Sequence, residues 1–145
     1  MIRIPGTTIV TVALMLCLTG LVLSGTAFAE RCVDNGDGTI TDNGTGLMWQ
    51  KATAGRMNWN DAKSYASGLS LGGHSGWMLP NRNELVGLYN SPCKSMMDVR
   101  RLFYWSSTTH ASNTSLAWFV GFYYGSVGNN YKSNGYYVRA VRDVQ

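Results

Sequence analysis

Two cysteines, Cys32 and Cys93, constrain this chain more than any other feature, because of the segment that precedes them. The first 29 residues read as a secretory signal: Arg3 supplies a cationic start, Ile9 to Leu23 an apolar stretch, and Ala27-Phe28-Ala29 a small-residue cleavage site, with cleavage expected after Ala29. An uncleaved membrane anchor is the competing reading, but Thr11, Thr19 and Gly20 interrupt the apolar stretch. Cys17 leaves with the leader, and it follows Leu16 rather than a small residue, so lipidation is not expected. The mature chain then carries two cysteines into an oxidising compartment, whether secreted, periplasmic or at the cell surface. There a disulfide between them is expected rather than two free buried thiols. Such a crosslink joins positions 61 residues apart, and the loop-entropy account gives it about 4 kcal/mol, a large share of a small domain's stability.

Removing 29 of the 145 residues leaves Glu30 to Gln145, 116 residues, which suits one compact domain and has no room for two. Of 12 basic residues only Arg3 is lost, so 11 basic stand against 8 acidic residues, a mild excess of +3. That balance is compatible with anionic glycans or envelope surfaces and equally with an ordinary solvated surface. Apart from Arg100-Arg101 there is no Lys/Arg run, so a nucleic-acid partner is not expected, and no stable membrane span remains after processing.

Along the mature chain, Arg31 to Gln50 alternates short β-favouring pieces with the turn clusters Asn35-Gly36-Asp37-Gly38 and Asn43-Gly44-Thr45-Gly46, predicting three short strands. The acidic turn is not expected to hold calcium, because placing Gly38 as the loop glycine puts Val33 and Gly44 at the first and last ligand positions. Asn58 is suited to cap a helix whose inward positions are Trp59, Ala62, Tyr65, Ala66 and Leu69. After a glycine-rich loop and the run Trp77-Met78-Leu79, Asn81 and Glu84 form a capping-box pattern that predicts a second helix, Arg82 to Tyr89. Asn90 to Leu102 reads as a loop. Strands are expected at Phe103 to Ser106, Leu116 to Tyr124 and Tyr136 to Arg142, with polar loops between them and the middle strand central in its sheet. Taken alone, this order says α+β.

The five tryptophans, Trp49, Trp59, Trp77, Trp105 and Trp118, sit beside aliphatic residues and read as core, although their ring faces also match sugar rings. Tyr123 to Tyr137 differs. Its tyrosines, asparagines, serines and glycines have the composition of binding loops, which combine rigid amphipathic contacts with adaptable hydrogen bonds. Tyr124, Asn129, Asn130, Tyr131, Lys132, Asn134 and Tyr136 are the candidate ligand surface, with Lys132 supplying charge for a sulfate or carboxylate. The alternative is a hairpin with ordinary turn residues. Catalysis is not expected. Chemistry needs a positioned base, nucleophile or metal, and the mature chain offers only His74 and His110, few acids and no free thiol once the disulfide forms. Those histidines are not at ligand spacing, so neither a metal nor a cofactor is expected.

Several blocks taken together resemble the C-terminal domain family of the Legionella collagen-like adhesin. They are Asp34 to Thr39 running through Thr45 to Gln50, the Trp59 to Leu69 helix, Gly76-Trp77-Met78-Leu79-Pro80-Asn81-Arg82-Asn83-Glu84-Leu85, Tyr104-Trp105-Ser106-Ser107-Thr108, and Tyr137-Val138-Arg139-Ala140-Val141-Arg142. Relatives often have cysteine where this chain has Ala140, so their usual disulfide pairing does not carry over. The resemblance implies a C-type-lectin-like fold, in which two helices flank short antiparallel sheets and the chain ends meet. It also implies binding of polysaccharide, sulfated or otherwise anionic, and a homo-oligomer as in the adhesin. The formylglycine-generating enzymes share a related fold but use a cysteine pair near their C-terminus, which nothing after Cys93 supplies. Two other readings stand beside glycan recognition. One is a structural or protein-interaction subunit of the envelope; the other is a variable target of a diversity-generating retroelement, whose altered positions favour Asn, Tyr and Ser.

Overall fold

A computed structural model of the chain describes residues 30–145; the expected leader, Met1 to Ala29, lies outside the described residues. The fold is α+β, with two helices and two small, mostly antiparallel sheets. Strands β1 (Cys32–Asp34), β2 (Thr39–Asp42) and β3 (Leu47–Gln50) form the expected meander, and β9 (Val141–Asp143) completes a four-stranded sheet in the order β1-β2-β3-β9. The first and last strands of the described chain therefore share one sheet. The second sheet has the order β4-β8-β5-β6-β7, from β4 (Ala54–Met57), β5 (Phe103–Thr109), β6 (Leu116–Gly121), β7 (Val127–Tyr131) and β8 (Tyr136–Val138). Its β5–β8 pairing, at Tyr104 and Tyr137, is parallel, a departure from the wholly antiparallel expectation.

Both helices start where their caps predict. The Asn58 side chain accepts from the Asp61 N–H and opens α1 (Trp59–Ser67), which buries Trp59, Ala62 and Ala66; Gly68 ends it, so Leu69 lies beyond the helix. Asn81 accepts from the Glu84 N–H and opens α2 (Arg82–Asn90), burying Leu85 and Leu88. The two helices cover opposite faces of the second sheet. Alternation sends Trp105, Ala117 and Val138 toward Trp59, Ala62 and Ala66 of α1, and Tyr104 and Val120 toward Leu85 and Leu88 of α2. Strand β6 lies inside its sheet, as its two covered faces predicted.

Cys32 and Cys93 are joined, with Cα atoms 5.2 Å apart, which ties β1 to a 3-10 turn at Pro92–Met96 inside the segment expected as loop. The tail expected as one strand, Tyr136 to Arg142, is two. Strand β8 belongs to the second sheet and β9 to the first, and the chain crosses between them at Arg139-Ala140. Arg139 is 1 % exposed. Its guanidinium donates to the carbonyls of Gln50, Lys51 and Asp98 and to Thr53 Oγ1, with no carboxylate partner among the described residues, and so pins the loop before β4 to the crossing. Strand β4, AGRM, was not expected at all: Ala, Gly and Arg have low strand propensity, and only its pairing with β8 (Ala54 with Val138, Met57 with Tyr136) makes it one.

Candidate functional site

The segment between Tyr124 and Tyr136, expected as a polar loop, contains the edge strand β7. It pairs with β6 in the register Leu116–Tyr131, Ala117–Asn130, Trp118–Asn129, Phe119–Gly128 and Val120–Val127. Asn129, Asn130 and Tyr131 are therefore strand residues, and alternation divides them. Asn129 and Tyr131 point outward on the α2 face, level with Trp118 and Leu116. Asn130 points to the α1 face, where its Nδ2 donates a 2.7 Å hydrogen bond to the Tyr136 hydroxyl. Gly128 is required beside them, because a Cβ there would lie 2.6 Å from the Phe119 ring.

The seven candidate residues thus fall into separate groups. Tyr131 is 59 % exposed, and Asn129 is exposed beside it. Asn130 and Tyr136 are half-buried and bonded to each other, and the Tyr136 ring packs on Trp105 and Phe119, so these two belong to the scaffold of the site rather than its surface. Asn134 is exposed, and its N–H donates to the Tyr131 carbonyl to close the turn after β7. Tyr124, 80 % exposed, lies beyond the opposite end of β7, set edge-on against Tyr123 at 4.2 Å between centroids. Lys132 is held at both backbone groups: its N–H donates to Ser115 and its carbonyl accepts from Trp59, which joins the two polar segments after Trp105 and after Tyr124.

The Lys132 ammonium lies 4.0 Å from the centroid of the Trp59 ring, and Lys63 of α1 places its own 3.8 Å from the same centroid. The two cations are no further apart than those distances combined. Burial and then the Lys63 charge hold the Lys132 ammonium below its ordinary range. Lys63 was not singled out by sequence, although its place four residues after Trp59 on one helix puts both on one face. Also missed was Trp118. Four tryptophans are buried as expected, but Trp118 is half-exposed, with the Arg82 guanidinium 4.7 Å from its centroid and the His110 ring stacked at 5.3 Å. His110 Nδ1 accepts the N–H groups of Ser112 and Asn113, while His74, in the glycine loop, bonds through its backbone to Leu71 and Trp77.

Two sets of cations emerge. Arg31, Lys51 and Arg100 are within ion-pair distance of Asp42, Asp34 and Asp98. Lys63, Arg82, Lys94, Arg101 and Lys132 instead lie over the rings of Trp59, Trp118, Tyr89, Tyr123 and Trp59, and among the described residues none of these five has a carboxylate within 4.0 Å. An aromatic face holds a cation in place without neutralising it.

A family model described as the Lcl C-terminal domain matches residues 38–142, well over half of the chain. The chain belongs to the Lcl C-terminal domain family. No curated protein is significantly similar to it. The span matched to the Lcl C-terminal domain contains both helices, all seven candidate residues and the five cations Lys63, Arg82, Lys94, Arg101 and Lys132. It begins after β1, so the Cys32 end of the disulfide lies outside it.

Proposed function

We propose that this Lcl C-terminal domain is an exported, non-catalytic binding module with a C-type-lectin-like arrangement that recognises an anionic polysaccharide of the cell envelope or its surroundings. The observation that carries the reading is the set of three cations, Lys63, Lys132 and Arg82, held on the Trp59 and Trp118 rings with no carboxylate within 4.0 Å among the described residues, beside an edge strand that displays Asn129 and Tyr131. Sulfated or carboxylated sugars ask for these groups together: a cation for the charge, a ring face for the apolar side of the pyranose, and amide and hydroxyl groups for the remaining oxygens. The Lys63–Lys132 pair serves the charged substituent, and Trp118 with Tyr131 the ring. Recognition through one such open surface is weak, and a homo-oligomer strengthens it by multivalency.

The test is binding of the purified protein to a glycan array that includes sulfated, carboxylated and neutral polysaccharides. Binding to the anionic members that falls as salt rises is the expected result. Salt-insensitive failure on every glycan, with an envelope protein captured instead and lost on Tyr131→Ala, replaces this reading with that of a protein-interaction subunit.

A further inference from the structure

A second surface lies beyond the other end of β7. Among the described residues nine large hydrophobic side chains are exposed, and four of them, Leu102, Phe103, Tyr123 and Tyr124, line one apolar hollow of about 310 Å³. Leu102 is 51 % and Tyr123 53 % exposed, so these side chains stand out of the surface. Val127, a fifth member of the nine, follows Ser126 of the same wall. Gly121 forms part of the lining, where a Cβ would lie 2.6 Å from Ser126 Oγ and 3.1 Å from the Phe103 ring, so a side chain at this position would collide with Ser126 and crowd Phe103. Through Arg101 and Tyr123 the hollow adjoins a second one of about 310 Å³, lined also by Lys94, Met97, Val99 and Phe122. Among the described residues Arg101 and Lys94 have no carboxylate within 4.0 Å, and the nearby Asp98 is paired with Arg100.

We propose that this face docks on an anionic lipid surface. Clustered exposed apolar side chains mark an interaction site rather than ordinary scatter. Aliphatic Leu102 and Val127 do not hydrogen-bond, and the apolar hollow lacks the amide and carboxylate groups that a sugar requires. A second copy related by a two-fold axis would set the Arg101–Lys94 rim against itself, cation to cation. Anionic headgroups neutralise that rim, while tyrosines and aliphatic side chains enter the boundary between headgroup and acyl chain. No helix among the described residues is long and apolar enough to cross a membrane, so the contact is peripheral.

The experiment is co-sedimentation of the protein with phosphatidylglycerol–phosphatidylcholine vesicles and with phosphatidylcholine alone. Binding to the anionic vesicles is expected, weakening as salt rises. Leu102→Ser with Tyr124→Ser abolishes it, Arg101→Gln weakens it about five-fold, and Lys132→Gln leaves it unchanged, which separates this face from the polysaccharide surface. Circular dichroism confirms that the variants keep the fold. Equal binding to both vesicle types, full retention in the double variant, or concentration-dependent self-association lost in the double variant without vesicle binding would overturn the proposal.

Discussion

Lys63 and Lys132, one on a helix and the other 69 positions later in the turn after an edge strand, hold their ammonium groups 3.8 and 4.0 Å from the centroid of a single indole, Trp59. Like charges at such range repel unless an anion lies between or beside them. Lys63→Gln removes the repulsion and half of the charge. We expect affinity for a sulfated polysaccharide to fall by roughly five- to thirty-fold, the worth of one charge-assisted contact at about 1–2 kcal/mol. The same substitution returns the Lys132 ammonium toward its ordinary range, so binding by the wild-type protein is lost at lower pH than binding by Lys63→Gln as pH rises toward about 10.4. NMR titration of the Lys132 side chain, with binding isotherms across the alkaline range, reads both effects.

The division of β7 between two faces separates recognition from support. Asn129→Ala and Tyr131→Ala, on the exposed face, should weaken polysaccharide binding while changing unfolding free energy by less than about 0.5 kcal/mol. Tyr136→Phe removes the hydroxyl that accepts from Asn130 and should cost about 1 kcal/mol of stability with affinity little changed. Equilibrium urea unfolding beside binding isotherms distinguishes the two behaviours; the opposite pattern reverses the assignment of faces.

Acid should destabilise the protein through Asp42. Burial pushes its carboxyl up, but hydrogen bonds from Arg31, Ser91 and the Gly44 N–H together outweigh burial and hold it below the usual carboxylate range. A carboxyl depressed in the folded state contributes stability that is present above its unfolded value of about 3.9 and lost as pH falls through the folded value. Asp42→Asn should cost about 1–3 kcal/mol at neutral pH and flatten the fall in stability below about pH 4. Arg31 is half-exposed, which limits the ionic share. Urea midpoints at neutral and acid pH for both proteins check this.

Arg139→Met removes the buried donor shared by the carbonyls of Gln50, Lys51 and Asp98 and the Thr53 hydroxyl; the Lys51 carbonyl keeps the Asp98 N–H and the Asp98 carbonyl keeps the Thr53 hydroxyl. A loss of at least about 3 kcal/mol is expected, a drop in Tm of roughly 10 °C or more for a domain of this size. Arg139→Lys should recover little of it, because one ammonium does not span acceptors that the guanidinium fork reaches together. Differential scanning calorimetry of the two variants decides the point.

Much of this was legible before any coordinates. Asn58 and Asn81 announce their helices because a cap is a local device: the side chain meets an N–H three residues on, and the spacing alone reveals it. The Lcl resemblance rests on blocks spread along the chain, and the family match covers them from Gly38 onward. Strands β4 and β7 were invisible for the converse reason. AGRM and VGNNY carry little strand propensity, and each becomes a strand only because a neighbour offers a ladder of donors and acceptors. The crossing at Arg139-Ala140 hid inside an apparently continuous strand because alternation persists across the break, and nothing in the composition says that the ladder changes partner.

By itself, the sequence determined the class of the fold, both helix starts, the cysteine pair and four of the five buried tryptophan assignments, since these follow from local chemistry, periodicity or the small number of partners available. Only tertiary structure decided that Asn130 and Tyr136 bond to each other, that Trp118 reaches the surface under Arg82, and that Lys63 meets Lys132. The reason is physical. A side chain's burial and partners depend on strand register and helix docking, which are fixed by contacts between residues far apart in the chain, and moving a strand by one residue exchanges its two faces.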